Sequence, residues 1–314
     1  MSKLKFLVSG GAGFIGSNIS QVLIEQGHTV RILDNFSSGK RENLKSIEKD
    51  AELIEGDIRS YHIVQQAVKG IDIILHQAAL PSVPRSIKDP ITTNEVNVSG
   101  TLNILEAAVT GNVRRVVYAS SSSVYGDNPE LPKHEGMLTN PLSPYAVTKL
   151  AGEKYCNVFS RIYGLETIAL RYFNVFGPNQ DPSSQYSAVI PKFIKAILKD
   201  EQPVIYGDGE QSRDFTFVSN IVEANILAAT SDCESGLVMN CACHSRITLN
   251  ELSESVNRIL NKDIKPKYES PRAGDIKHSF ANIELAKSKI NYSPRINFEE
   301  GLKFTIDKFK QKFQ

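Results

Sequence analysis

Leu4-Lys5-Phe6-Leu7-Val8-Ser9-Gly10-Gly11-Ala12-Gly13-Phe14-Ile15-Gly16 is the stretch that decides the fold of this 314-residue chain. Leu4 to Val8 is an apolar run of strand length. A glycine-rich turn follows, and then Ile15, Ile19, Val22 and Leu23 recur on one helical face. Strand, glycine turn and helix in this order are the context that a dinucleotide fingerprint requires. The glycines permit a tight turn, close approach of the backbone to a pyrophosphate, and close packing of helix on strand. The helix N-terminus offers unpaired N–H groups and a positive dipole end to phosphates. The spacing reads two ways, as G-x-x-G-x-x-G through Gly10, Gly13 and Gly16, or as G-x-G-x-x-G through Gly11, Gly13 and Gly16.

Outward from this turn, the next apolar run, Thr29 to Leu33, ends at Asp34. A carboxylate there suits the adenosine ribose hydroxyls and repels a 2′-phosphate, which selects NAD over NADP. Lys40 and Arg41 stand close by and read as the solvated start of a helix. Strands are expected at 4–8, 29–33, 51–55, 71–75, 113–119 and 165–171, and helices at 14–26, 60–69, 93–110 and 144–162. Such alternation predicts a parallel sheet covered by helices on both faces. The fold class is therefore α/β, a Rossmann-type doubly wound parallel sheet. Sheets of this kind bind ligands beyond the carboxyl ends of their strands. Gly10, Asp34, Asp57, His76 to Ala79, Ser120 to Ser123 and Arg171 to Asn174 all follow expected strand ends.

Past about residue 175 the texture changes. Pro178-Asn179-Gln180-Asp181-Pro182-Ser183-Ser184 is a loop by composition. Helices near 187–199, 219–230, 249–260 and 299–312, with short strands near 203–206 and 237–241, describe a smaller α/β domain. The expected division is a dinucleotide-binding domain over 1–175 and a mainly substrate-binding domain over 176–314, with some exchange of elements.

Chemistry enters with Ser143-Pro144-Tyr145-Ala146-Val147-Thr148-Lys149. Tyr145 and Lys149 are four residues apart, which puts both on one face of a helix. A free phenol titrates near pH 10 and is a poor base at neutral pH. A neighbouring ammonium favours the phenolate and fits it to move a hydroxyl proton. The bulk numbers narrow the partners. Lys+Arg 36 against Asp+Glu 35 gives a net charge of +1, which provides no basis for binding nucleic acid. No stretch approaches the roughly 20 apolar residues of a membrane span, and the chain enters a strand too early for a signal peptide. Cys156, Cys233, Cys241 and Cys243 read as free thiols of a reducing cytoplasm. Cys241-x-Cys243-His244 lacks further ligands at suitable spacing, so no metal is expected.

Taken together, the motifs resemble the extended short-chain dehydrogenase/reductase family, and within it the nucleotide-sugar 4-epimerases. The runs that carry the resemblance span the chain: Gly10 to Gly16, Asp34-Asn35, Gly56-Asp57-Ile58, His76-Gln77-Ala78-Ala79, Asn97 to Thr101, Ser120 to Gly126, Tyr145-x-x-x-Lys149, Arg171 to Pro178 and Arg213-Asp214-Phe215. Ser82-Val83-Pro84-Arg85-Ser86-Ile87-x-Asp89-Pro90 is similar to the bacterial and archaeal branch that prefers UDP-N-acetylhexosamines.

The resemblance implies that NAD is held by Gly10, Gly13, Phe14, Ile15, Gly16, Asp34, Asn35, Ser38, Gly39, Asp57, Ile58, Gln77, Ala78, Ala79, Asn97, Tyr145, Lys149 and Tyr172. It implies inversion of a sugar C4 hydroxyl, with Tyr145 as base, Lys149 depressing its pKa, and Ser121 relaying the proton. Ser123 lies on the same side of an extended strand and is the second choice. For the UDP-sugar it implies Ser82, Val83, Arg85, Ser121, Ser123, Tyr145, Asn174, Val189, Tyr206, Arg213, Arg272, Asp275 and Ser279. Arg213 and Arg272 would pair with the diphosphate, where a planar guanidinium makes two parallel hydrogen bonds. Asp275 would hold the uridine ribose. Family members limited to UDP-glucose carry a large tyrosine where this chain has Ser279, so an N-acetyl group gains room beside C2.

Dehydratases of the family need an acid beside the serine, and Ser121-Ser122-Ser123-Val124 contains none. Three readings remain. They are a UDP-N-acetylglucosamine 4-epimerase, the same reaction on UDP-glucose or on a UDP-uronate that Arg85 would meet, and a non-catalytic NAD-binding sensor. The helices near 93–110 and 145–162 pair two subunits in relatives. Val98, Leu102, Leu105, Val158 and Ile162 are expected on that homodimer face.

Overall fold

Among the described residues, 3–181, 188–271 and 277–313, seven strands lie side by side in one parallel sheet of this computed structural model. They are β1 (Lys5–Ser9), β2 (Thr29–Asp34), β3 (Ala51–Glu55), β4 (Ile73–His76), β5 (Arg115–Ser121), β6 (Glu166–Tyr172) and β7 (Leu237–Cys241). The order across the sheet is β3-β2-β1-β4-β5-β6-β7. It reverses between β1 and β4, the place where such sheets bind ligands. Phe6 and Val8 face one hydrophobic cluster, and Leu7 between them faces the other. Both faces are therefore covered, which explains strands written as nearly continuous apolar runs.

Register brings the functional ends level. Ser9 pairs with Leu33 on one side and His76 on the other, and Ser121 pairs with Tyr172. The α/β, Rossmann-type expectation is met, with strand ends shifted by one or two residues. The run 237–241, read with the smaller domain, is instead the edge strand β7 beside β6. Its connection, the helix Val218–Thr230, lies against the sheet, and Arg115 donates to the Ala228 carbonyl at 2.9 Å.

Caps account for the helix limits. Ser143 accepts from the Ala146 N–H at 3.2 Å, Pro144 opens the helix Pro144–Tyr163, and Gly164 closes it in the left-handed conformation. Thr248 and Glu251 form a capping box at the start of Leu249–Leu260. Asp89 caps an early start at Pro90 for the helix expected over 93–110, and that helix carries a π-turn at Glu95–Ser99 before Gly100–Thr110. Two short α-helices were not foreseen: Val83–Lys88, capped by Ser82, and Glu284–Ile290.

On this helix pair the structure corrects one expected surface residue. Leu105 is fully buried against the sheet, because it falls on the same side as Ala108 and Ile104. Val98 and Leu102 are half-buried, while Val158 and Ile162 are exposed. Outside the main sheet, the described residues beyond β6 make short pairings: Val175–Phe176 with Thr216–Phe217, Ser212–Arg213 with Ile247–Thr248, and Val204–Tyr206 with Lys267–Glu269. Phe176, Phe215, Phe217 and Phe298 pack together beneath them.

Candidate active site

The glycine turn is shaped by what it excludes. Gly10 has φ of +72°, and a Cβ there would stand 2.6 Å from the Ala78 nitrogen. A Cβ at Gly16 would collide with the Gly10 carbonyl oxygen. The Gly13 N–H donates to that same carbonyl at 3.1 Å. The working frame is therefore Gly10, Gly13 and Gly16, while Gly11 lies against Ile32. Gly13 caps the helix Phe14–Glu25 without a side-chain hydrogen bond, so the N–H groups around Phe14 and Ile15 face a ligand space rather than a cap.

Asp34 is buried at the end of β2 and accepts from the Ala12 N–H at 2.9 Å and the Phe36 N–H at 2.8 Å. Burial pushes its carboxyl up, and these two N–H groups pull it back. Each oxygen keeps a lone pair for a ribose hydroxyl. Gly39 lets the loop with Ser38 press in, since a Cβ there would be 2.9 Å from an Asp34 oxygen. Lys40 is paired with Asp181 at 2.8 Å, and Arg41 with Glu55 over the Phe36 ring. Neither basic side chain faces a 2′-phosphate unengaged, in keeping with NAD. Asn35 donates to Asp57 at 2.9 Å, and the Arg59 guanidinium holds the Asp57 carboxyl down at about 2. Ile58 is buried against Gly100. Asp57, Arg59, Ser60, Glu95 and Ser99 line an open cleft of about 470 Å³.

At the end of β4, His76 is buried between Ser9 at 2.6 Å and Thr101 at 3.0 Å. Burial and then Lys149 push it down to about 3, so it stays neutral. Gln77, Ala78 and Ala79 follow it along the cradle. Gln77 donates to the Tyr172 hydroxyl at 3.2 Å and to Asn225 at 3.0 Å. Tyr172 is thus tied by its own hydroxyl to Gln77 and Asn225, two partners that hold the strand end in place. Asn97, inside the π-turn, clamps Leu80 through both backbone groups and donates to Thr148.

The helix Pro144–Tyr163 delivers Tyr145 and Lys149 to this edge. Ser121 lies close enough to the Tyr145 phenol to pull its pKa down and accepts the Ser123 N–H at 3.2 Å, whereas the buried Ser123 hydroxyl has no partner among the described residues. Lys149 donates to the Ala119 carbonyl at 2.7 Å, with its nitrogen 5.9 Å from the centre of the Tyr145 ring. The expected lowering of the phenol by Lys149 meets a different balance here. Burial pushes Tyr145 up, and the neighbouring Ser121 hydroxyl pulls it back. Burial draws the amine itself down to about 8. The Tyr145 N–H donates to Ser86 at 3.0 Å, which brings the helix Val83–Lys88, with Arg85 and its cap Ser82, against the start of the Tyr145 helix.

The sugar-side residues come from loops. Asn174, with φ of +36°, donates to the Asp214 carbonyl at 3.4 Å. Ser279 N–H donates to the Ser212 carbonyl at 3.0 Å, next to Arg213, whose guanidinium donates to the Lys277 carbonyl. Tyr206 lines an open cleft of about 560 Å³ with Tyr268, Glu269 and Ser270. Val189 opens the helix Val189–Leu198. Arg272 and Asp275 lie outside the described residues. Cys241 is buried in the core, and His244 stacks on Phe280 and is hydrogen-bonded to the Ala281 carbonyl.

Sequence reasoning missed three contributors: Ser86, Asn225 and the buried Asp214. Asp214 accepts the Cys243 N–H at 3.0 Å and the Ala281 N–H at 3.3 Å, and burial pushes it up to about 7. Ser86 and Asp214 stood inside runs already quoted without a role of their own, and the signal for Asn225 was a polar side chain within the largely apolar helix 218–230.

Residues 6–242 match the model of the NAD dependent epimerase/dehydratase family. The chain is 37% identical to a putative UDP-glucose 4-epimerase of Methanocaldococcus jannaschii, over 97% of this chain and 98% of that protein. It is similar in structure to a UDP-N-acetylglucosamine 4-epimerase from Methanobrevibacter ruminantium in complex with UDP-N-acetylmuramic acid. The TM-score is 0.95 at 45% identity, covering 99% of this chain and 100% of that one. A Thermus thermophilus UDP-glucose 4-epimerase in complex with NAD is also similar, with a TM-score of 0.90 at 34% identity over 98% and 99% of the two chains.

Proposed function

The chain belongs to the NAD-dependent epimerase/dehydratase family, as an NAD-dependent isomerase of UDP-sugars acting at C4, and we propose that its substrates are UDP-N-acetylglucosamine and UDP-N-acetylgalactosamine. The observation that carries the proposal is Ser279, a small half-buried side chain tied by its backbone to Ser212 beside Arg213. A large ring at this wall would fill the space that an N-acetyl group takes.

Gly10, Gly13 and Gly16 cradle the cofactor's pyrophosphate, and Asp34 accepts its ribose hydroxyls. NAD held there would supply a reversible hydride acceptor for the sugar C4, and its positive nicotinamide would add to the charge beside the phenol. Tyr145 removes the O4 proton and later restores it. Ser121, beside the phenol, orients O4 and relays that proton. Lys149 holds the nicotinamide ribose and adds positive charge that favours the phenolate. Arg213, with Arg272 and Asp275, binds the UDP, so the chain beyond residue 176 is the main sugar-nucleotide half. The reading extends to a homodimer through Ile91, Val147, Val158 and Ile162, exposed apolar residues on two packed helices. It carries a cytoplasmic location, where NAD and UDP-sugars are available, and no described helix is long and apolar enough to cross a membrane.

A second reading rests on Arg85, held near Tyr145 by the Ser86 contact. There it would meet a C6 carboxylate. The test is product analysis after incubating the protein with UDP-N-acetylglucosamine, UDP-glucose or UDP-N-acetylglucosaminuronate, without added NADH. UDP-N-acetylgalactosamine forms fastest on the main reading. Conversion of UDP-glucose alone sinks the Ser279 argument, conversion of the uronate alone selects Arg85, and no conversion of any leaves a non-catalytic NAD binder.

A further inference from the structure

Three consecutive residues at the end of β5 are gripped by one face of the helix Pro144–Tyr163. The Ala119 carbonyl accepts from Lys149, the Ser120 hydroxyl donates to Glu153, and Ser121 lies beside the Tyr145 phenol. Tyr145, Lys149 and Glu153 step by four residues, so they stack along a single face. Glu153 is buried, and Arg171 of the neighbouring strand β6 holds it through two hydrogen bonds of 2.8 Å. Ser120 and Arg171 are themselves register partners across β5 and β6. The Arg171 guanidinium lies 4.6 Å from the centre of the Tyr125 ring, and Tyr125 donates to Asn240 at 2.7 Å.

We propose that Glu153 is a positioning residue for the Tyr145–Lys149 pair, fixing the strand end that carries Ser121 through Ser120 and supplying the counter-charge to the Lys149 ammonium. The inference rests on the roles given above to Tyr145 and Lys149.

The groups that face Lys149 leave this task to Glu153. Tyr118 lies under the amine, 5.1 Å from ring centre to nitrogen, and burial pushes its phenol up. Tyr145 is pushed up as well, and so is the Cys156 thiol on the same helix. His76, from β4, is held neutral at about 3. Burial works against the ammonium, while Cys156 and then Glu153 work for it; with the Cys156 thiol kept protonated by burial, Glu153 is the buried carboxylate among the described residues that supplies the negative charge. Arg171 balances Glu153 on the far side, which keeps a lone buried charge from arising there.

The sign follows from Coulomb attraction. Without the carboxylate, Lys149 gives up its proton at a lower pH, and the cationic form needed beside the phenol is lost sooner. In Glu153→Gln the alkaline limb of the kcat–pH profile for UDP-N-acetylhexosamine epimerisation moves down by about 1 pH unit. In Glu153→Asp the charge survives with poorer geometry, so the limb stays in place while kcat falls. Glu153→Gln leaves Arg171 unpaired and lowers the melting temperature. Glu153→Gln with Arg171→Gln removes both charges, recovers melting temperature and keeps the shifted limb. Lys149→Met runs alongside. If Lys149→Met is crippled but both neutral Glu153 variants keep the wild-type limb, the Glu153 proposal is overturned and the reading beneath it stands. If Lys149→Met turns over normally, that reading fails first.

Discussion

Around Gly10 the site is shaped by main chain, and around Ser279 it is shaped by side chains reaching across short loops. On the first side, Gly10 N–H donates to the Leu33 carbonyl and Gln77 N–H to the Ser9 carbonyl, so loop meets loop through backbone. Bare glycines leave the ligand space. On the second side, Ser212 bonds His278 and Arg246 through its hydroxyl, and Asp214 gathers the loops of Cys243 and Ala281 on one carboxylate. The strands there are two residues long. A backbone-built edge tolerates little change and keeps one cofactor. A side-chain-built edge can be retuned one residue at a time, and substrate choice can change without disturbing the chemistry.

The largest break should come from Gly16→Ala. Its Cβ meets the Gly10 carbonyl, which cannot yield without opening the turn. The expected cost is about 1–3 kcal/mol of stability, with NAD lost from the purified protein. Melting temperature and NAD content per chain measure both, and full NAD content in a stable variant would show that the turn is softer than its contacts imply. Ser279→Tyr should leave NAD content alone and swing the turnover ratio of UDP-N-acetylglucosamine to UDP-glucose by about 10-fold toward the unsubstituted sugar. Equal loss on both substrates would mean that the ring blocks the pocket rather than its C2 wall.

The smallest effect contrasts the two sides by pH. His76 has a folded pKa near 3, below its ordinary 6.5, so its contribution is present above about 6.5 and is lost as pH falls toward 3. Asp214 is raised from 3.8 to about 7, so its contribution is full below 3.8 and is lost as pH rises through 7. Melting temperature against pH should lose its acid slope in His76→Gln and its slope between 4 and 7 in Asp214→Asn. The reverse assignment of slopes would refute both burial arguments.

The same contrast explains what was legible in the sequence. Strand, glycine turn, Asp34 and the Tyr145–Lys149 step are local patterns, and each survives as written. Glu153 was readable as the next step of four on that helix, yet its meaning depended on Ser120 and Arg171 arriving from two strands. Asp214 stood in the sequence only as the middle of Arg213-Asp214-Phe215 and is fully buried, because three loops converge on it. Leu105 carried the right hydrophobic period for a free face and went to the sheet instead. Periodicity gives a stripe and not its partner.

The π-turn at Glu95–Ser99 sets where that stripe points. One extra residue in a helical turn offsets everything after it by roughly 100°. A single rod thus has its wetted side at one azimuth near Ile91, which is 73% exposed, and another beyond Gly100, where Ile104, Leu105 and Ala108 are fully covered. Removing one residue from the turn would return it to α-helix and rotate the second half like a key in a lock. Asn97 would swing off Leu80, and Ile104 and Leu105 would turn out of the core. The length of this segment is therefore under tighter constraint than the identity of most of its side chains.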